Sequence, residues 1–240
     1  MKQMSIVLTP EQGKKLIARA VASLPEVETA LETATIVVIA GTTNRYVAEE
    51  LLKKAGEPTD TENFYRGITL PRGVKPEGGI AREDVVIEKG KRVRGKTIFD
   101  VAGMLKPGDL IIKGGNAVHL ASRQAAVLVG NPAVGTTLPI IEAVYGRRVG
   151  TVIPVGVEKR VELPIPTLAA LSTDGVTAGP RLCPLPGEAF TELDAIPALY
   201  DLEAEIFAAG GVMGAEGAVY FLCSGREEDL KRLSADIAAL

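Results

Sequence analysis

The sequence predicts an α/β fold, a parallel sheet with helices on both faces, followed by a small α+β unit at the C-terminal end. Three observations predict it. Short apolar runs rich in β-branched residues, "ATIVVIA" at 34–40, "DLIIK" at 109–113 and "GTVIPVG" at 150–156, lack strict alternation and so read as strands covered on both sides. Helical signals fall between them, and glycine-containing turns lead out of the first two runs. From Pro164 onward the chain is richer in Pro and Gly, which sets 1–165 apart as an α/β core and 166–240 as a smaller unit.

In chain order, "TPEQGKKLIARAVASL" opens with Thr9 as N-cap, Pro10 in the first helical position and Gln12 three residues after the cap, and Leu16, Ile17, Ala20, Val21 and Leu24 share one stripe. The run at 34–40 leads through Gly41, Thr42 and Thr43 into a helix that buries Val47, Leu51 and Leu52 and ends at Gly56. Residues 56–84 show no period and read as a long loop with the character of a lid. "VVIEKGKRVRG" reads as a hairpin turning at Lys89 and Gly90. "GDLIIKGGNAVHLASRQAAVLVG" repeats the strand, turn and helix of the first unit, with the helix expected from Asn116. "TTLPIIEAVYGRRVGTVIPVG" gives a helix and then a buried strand. The last four expected elements are a strand in "GEAFTELDAI", a helix in "PALYDLEAEIFAAGG", a strand in "AEGAVYFLCSG" and a helix in "REEDLKRLSADIAAL".

Composition excludes several functions. In the 240 residues, 46% are hydrophobic and 24% charged, the balance of an ordinary folded protein. A net charge of −3 argues against a binder of nucleic-acid backbone. Cys183 and Cys223 are far apart and carry no metal-ligand spacing, so they read as small buried apolar residues in a reducing, cytoplasmic setting. No apolar run approaches the length that spans a membrane, and no targeting core is evident. No motif calls for a cofactor or metal, and no G-x-G-x-x-G follows a strand. The sequence leaves a homo-oligomer open.

Chemistry concentrates in two turns. A helix N-terminus leaves backbone N–H groups unpaired and carries partial positive charge, so "GTTNR" (Gly41, Thr42, Thr43, Asn44, Arg45) and "KGGN" (Lys113, Gly114, Gly115, Asn116) each suit an anion. His119, the single histidine, would occupy N3 of a helix capped by Asn116, where the helix field favours neutral imidazole; equally, it would be a part-buried polar residue of its own helix. Arg123, four residues on, would share its face. The basic pairs at 147–148 and 159–160 read as solvated strand ends, with Lys159 the exception.

"FDVAGMLKPGDLIIKGGNAV" resembles the stretch of A-type ribose-5-phosphate isomerases that reads DGADE, a spacer, then LIKGGGGA. Asp100 and Lys113 stand 113 − 100 = 13 residues apart, as the first Asp and the Lys of those motifs do. "AGTTNRYVAEEL" is similar to the family's GTGSTA loop, and "VIPVGVEKRVELPIP" to its DESK and LPVEV segments. The resemblance spans most of 34–166 and points to the wider superfamily of these isomerases, glucosamine-phosphate deaminases and coenzyme A transferases. It implies a Rossmann-like sheet and ligand contacts from Gly41, Thr42, Thr43, Asn44, Asp100, Lys113, Gly114, Gly115 and Lys159. It also shows departures: Gly103 and Met104 stand where the second Asp and the Glu of DGADE belong, and no carboxylate follows Asn116 in "NAVHLASRQAAVLVG". An isomerase needs a base to move the proton between carbons, so His119 and Asp100 are the remaining catalytic candidates. The expected function is binding of a small phosphorylated or carboxylated metabolite, by an isomerase- or transferase-like enzyme or by a non-catalytic regulatory protein on the same scaffold.

Overall fold

The computed structural model describes residues 1–66, 81–174 and 178–240. The elements in chain order are β1 (Lys2–Leu8), α1 (Pro10–Val21), α2 (Pro25–Thr33), β2 (Thr35–Val38), α3 (Thr42–Ala55), β3 (Val85–Glu88), β4 (Lys91–Val93), α4 (Ile98–Val101), β5 (Leu110–Ile112), β6 (Ala117–His119), β7 (Gln124–Val129), α5 (Thr137–Ile141), β8 (Gly150–Pro154), α6 (Ile165–Thr173), β9 (Arg181–Pro184), β10 (Ala189–Phe190), α7 (Glu192–Tyr200), β11 (Glu203–Ala209), β12 (Val219–Gly225) and α8 (Glu227–Ala238).

The central sheet has six strands in the order β10-β8-β5-β2-β3-β4. Its first four strands are mutually parallel, and β3 and β4 add an antiparallel hairpin. The chain is therefore mixed α/β with a parallel region, as the buried runs indicated. Alternate side chains of β2 and β5 go to opposite faces: Ile36, Val38 and Ile112 join a core with α1, α2 and α3, whereas Val37 and Ile111 join one with α4 and α5. Burial on both faces is why neither strand shows polar alternation. The hairpin turns where expected, with Lys89 and Gly90 both at positive φ (48° and 76°), the conformation of a tight type I′ turn.

Helix ends follow the sequence signals. Thr9 and Gln12 close a capping box at α1, and Gly56, at φ 67°, ends α3 in the left-handed conformation. A second sheet, β1-β12-β11, is antiparallel, and a third, β6-β7-β9, is antiparallel as well. The chain beyond 166 thus supplies an outer strand of the central sheet (β10), two strands of the second sheet, where β12 lies between β1 and β11, and β9 at the edge of the third.

Two expectations are corrected. The stretch after Asn116 is the β6–β7 hairpin, not a helix. Val118, Ala125 and Val127 pack with Val155 and Leu185 on one face, while Ala117 and Ala126 pack with Ile165 on the other. A helix offers one apolar stripe and cannot cover both, so tertiary packing overrides the helical preference of Ala, Leu, Arg and Gln. The turn is closed by Arg123 at φ 52°. The second correction is at 197–211, where a helix was expected. The helix instead starts at the Thr191/Asp194 capping box, ends at Asp201 with φ 53°, and leaves 203–209 to pair with β12 as a strand. The lid expectation for 56–84 falls largely on 67–80, outside the described residues.

Candidate functional site

Parallel strands deliver their C-terminal ends to one edge of the sheet, and ligands of open α/β sheets collect there. Here β2 delivers Gly41 and Asn44, β5 delivers Lys113 and Gly114, the turn after β8 delivers Lys159, and β10 delivers Glu192. Because β3 runs antiparallel, with Val85 paired to Val38, it starts at the same edge, and Asp84 joins the group.

Asn44 ties two strand ends together. Its Nδ2 donates to Ile39 O (2.6 Å) and Ile112 O (3.0 Å), bridging β2 to β5, and the residue is only 1% exposed. Its Oδ1 is buried and accepts no hydrogen bond, the one such side-chain atom among the described residues. That oxygen faces Gly114: a methyl group placed on Gly114 would lie 3.6 Å from Asn44 Oδ1 and 3.6 Å from Pro154 O. A buried acceptor without a donor carries a desolvation cost, and a ligand hydroxyl or amine above Gly114 would relieve it. The neighbouring Gly115 is different. A Cβ there would sit 3.3 Å from Ala126 O and 3.4 Å from Ala125 Cβ, so Gly115 lets the β6–β7 hairpin pack against the strand end.

Lys113 lies mostly buried at the end of β5, and no hydrogen bond or ion pair of its Nζ is found among the described residues. Burial draws its pKa down to about 8; nearby Asp84 opposes the fall, and Arg66 and Lys159 add to it. Lys159 is depressed by burial too, and its Nζ donates to Gly115 O at 3.1 Å, leaving two of its three N–H donors for another partner. Glu192 is 3% exposed and accepts from Val157 N at 2.8 Å. Burial raises its pKa to about 7, against the pull of the Val157 hydrogen bond; Glu158 adds to the rise and Lys159 opposes it.

Asp84 holds the edge in shape. Its Oδ1 accepts from Ala40 N (3.0 Å) and Arg66 Nη1 (2.7 Å), and its Oδ2 from Ile98 N (2.8 Å), so one carboxylate fixes the turn after β2, the start of α4 and an arginine. Asp84, Arg66 and Glu192 were absent from the sequence reading. Asp84 follows an unperiodic loop, and Glu192 sits inside a capping motif whose polar residues look fully used. The signal that could have found Asp84 was a carboxylate directly before the apolar run at 85–87.

Other candidates lie elsewhere or serve the fold. Thr42 is exposed and Thr43 is buried in the first turn of α3. Arg45 points along its helix to Glu49 (2.9 Å), which accounts for a cation near a helix N-terminus. Asp100 is exposed and closes a capping box with Thr97, whose N and Oγ1 each donate to it at 2.7 Å; these bonds lower its pKa. Asn116 Oδ1 accepts from Leu128 N within the hairpin. Arg123 pairs with Glu188 and Asp194 rather than sharing a helix face with His119. His119 Nδ1 lies 2.7 Å from Ser122 Oγ, beside a shallow cleft of about 360 Å³ that Arg160 and Glu162 also line. With the helix after Asn116 gone, the N-terminus of α3 is the remaining one of the two expected anion-binding helix ends. Among the described residues no group of three or more His, Cys, Asp or Glu could hold a metal ion, and no helix is long and apolar enough to cross a membrane.

Comparison of the chain with protein-family models, with curated proteins and with solved structures finds no match.

Proposed function

We propose that this protein binds a small anionic metabolite, phosphorylated or carboxylated, at the C-terminal edge of β2, β5 and β8, on a Rossmann-like sheet related to the isomerase and coenzyme A transferase superfamily. The observation that carries the reading is Lys113, a mostly buried ammonium without a hydrogen bond or ion pair among the described residues, at a sheet edge where Asn44 Oδ1 is a buried acceptor that lacks a donor. Burying such groups costs stability and is retained where a ligand completes them. Lys159 and the first amides of α3 add positive potential at the same edge. Asn44 Oδ1 and Pro154 O add acceptors, so the ligand combines an anionic group with a hydroxyl or amine donor.

The test is a thermal-shift panel of sugar phosphates, nucleotides, 2-oxo and hydroxy acids and acyl-coenzyme A thioesters. A ligand of the native state raises Tm by mass action. The expected result is a concentration-dependent rise with one anionic class that is absent in Lys113→Met. No shift from any anion, or an equal shift in Lys113→Met, refutes the reading.

A further inference from the structure

We infer that the ligand is a free α-amino acid, its ammonium seated above Gly114 against Asn44 Oδ1 and Pro154 O and its carboxylate held by Lys159. The inference rests on the anionic-metabolite reading and names the class of metabolite. Gly114 follows Ile112 by two residues and shares its face of the sheet, the one covered by α1, α2 and α3. A methyl group on Gly114 would meet nothing nearer than Asn44 Oδ1 and Pro154 O, both at 3.6 Å. The two nearest atoms are therefore acceptors, and Asn44 Oδ1, on a residue 1% exposed, has no donor. A hydroxyl has one hydrogen to donate and brings lone pairs of its own. An ammonium has three and brings none, so it satisfies both acceptors together.

One residue further on the polarity reverses. Gly115 O receives Lys159 Nζ at 3.1 Å, and Lys159 makes no other hydrogen bond or ion pair among the described residues, so two of its N–H donors remain. Successive Cα atoms stand about 3.8 Å apart, a spacing that suits an amine and a carboxylate borne on one carbon rather than groups at opposite ends of a sugar chain. The charges around Lys159 also balance. Lys14 of α1 adds to the positive potential there, while Glu158 and Glu192 oppose it. Contacts fix Glu192 at this place: its Oε2 accepts from Val157 N at 2.8 Å, and its Oε1 lies against Gly13, the neighbour of Lys14. Two basic and two acidic side chains suit a ligand without net charge better than a bare anion. Lys113 takes the opposite face of β5 and couples to Lys159 through its field.

The experiment measures Tm of the full chain with each of the standard amino acids. Any that binds is then compared with its 2-hydroxy acid, its amide and the amine that lacks the carboxylate. The expected outcome is a concentration-dependent rise with at least one amino acid and an apparent affinity about tenfold or more weaker for all three matches. Gly114→Ala and Lys159→Met should each weaken the amino acid by about tenfold or more. An unchanged Tm of ligand-free Gly114→Ala shows that the loss is not one of folding. A hydroxy acid that binds as well as the amino acid, or a shift that survives both substitutions, overturns the inference. If a sugar phosphate, nucleotide or acyl-coenzyme A thioester raises Tm and Lys113→Met abolishes that rise, while no amino acid acts, the amino-acid assignment fails and the anion site stands. If no anion of any class shifts Tm, both fall together.

Discussion

At the scale of single residues, the buried charges carry a cost that binding would relieve. Holding Lys113 protonated in the fold, with a pKa that falls from 10.5 to about 8, costs about 3 kcal/mol at neutral pH, where both folded and unfolded chains carry the charge. Lys113→Met should therefore raise the unfolding free energy, by about 1 to 3 kcal/mol in urea titration, while it abolishes anion binding; a destabilised variant would contradict this. The opposite group is Glu192. Between pH 4.5 and about 7 the folded chain keeps a proton there that the unfolded chain has released, so its contribution to stability declines as pH rises through that window. Glu192→Gln, which keeps an acceptor for Val157 N, should flatten the decline, as seen in denaturation midpoints measured from pH 4 to 8. Glu192 also explains a glycine inside a helix. Ala is ordinarily better than Gly in α1 by about 1 kcal/mol, yet a Cβ on Gly13 would overlap Glu192 Oε1. Gly13→Ala should thus destabilise by about 1 to 3 kcal/mol. In a Glu192→Ala background the same change should become neutral or stabilising.

At the scale of elements, the two glycines of the turn after β5 stand in different surroundings. Gly115 allows the β6–β7 hairpin to close against Ala125 and Ala126, whereas a Cβ on Gly114 meets only ordinary contacts at 3.6 Å and beyond. Gly115→Ala should cost stability, about 1 to 3 kcal/mol by the measure of an overpacked core. Gly114→Ala should fold with an unchanged midpoint and lose ligand affinity, because the methyl group fills the space beside Asn44 Oδ1. Equal loss of stability in both variants would mean that the turn is purely structural. The hairpin shows why part of this was hidden from local reading. "NAVHLASRQAAVLVG" holds residues compatible with a helix, and nothing within it reveals that Val155 and Leu185 cover one face while Ile165 covers the other. The α3 unit was legible because its signals are local: a buried β-branched strand, a polar turn, an apolar stripe and a terminal glycine.

At the scale of the whole molecule, the largest apolar core runs through both ends of the chain. It joins Ile6 and Leu8 of β1, Leu16 and Ile17 of α1, and Ile36 and Val38 of β2 to Ile196 of α7, Phe221 and Cys223 of β12 and Leu233 of α8. Burial in this core raises the Cys223 thiol to about 11, so it stays protonated and inert near neutral pH. A core shared so widely couples the segments before and after residue 165. Scanning calorimetry should show one transition, with calorimetric and van't Hoff enthalpies equal; two resolved transitions would mean that 166–240 unfolds independently. The same coupling bears on the site, because Glu192 and Val157 meet only when β10 lies beside β8.

The sequence by itself determined the class and the outline: strands at 35–38, 110–112 and 150–154, the caps of α1 and α3, the 89–90 turn, and Lys113 and Asn44 on turns that leave parallel strands. Those features are written in local periodicity and turn chemistry, which a single stretch of chain contains. Tertiary structure alone decided which polar residues share the edge. Asp84 reaches it because β3 runs antiparallel to β2, Glu192 because β10 pairs with β8, and Arg123 leaves it because a hairpin turn aims it at Glu188 and Asp194. Strand direction and pairing are set by the packing of distant segments, and so is the burial that draws Lys113 and Glu192 toward neutrality from opposite sides.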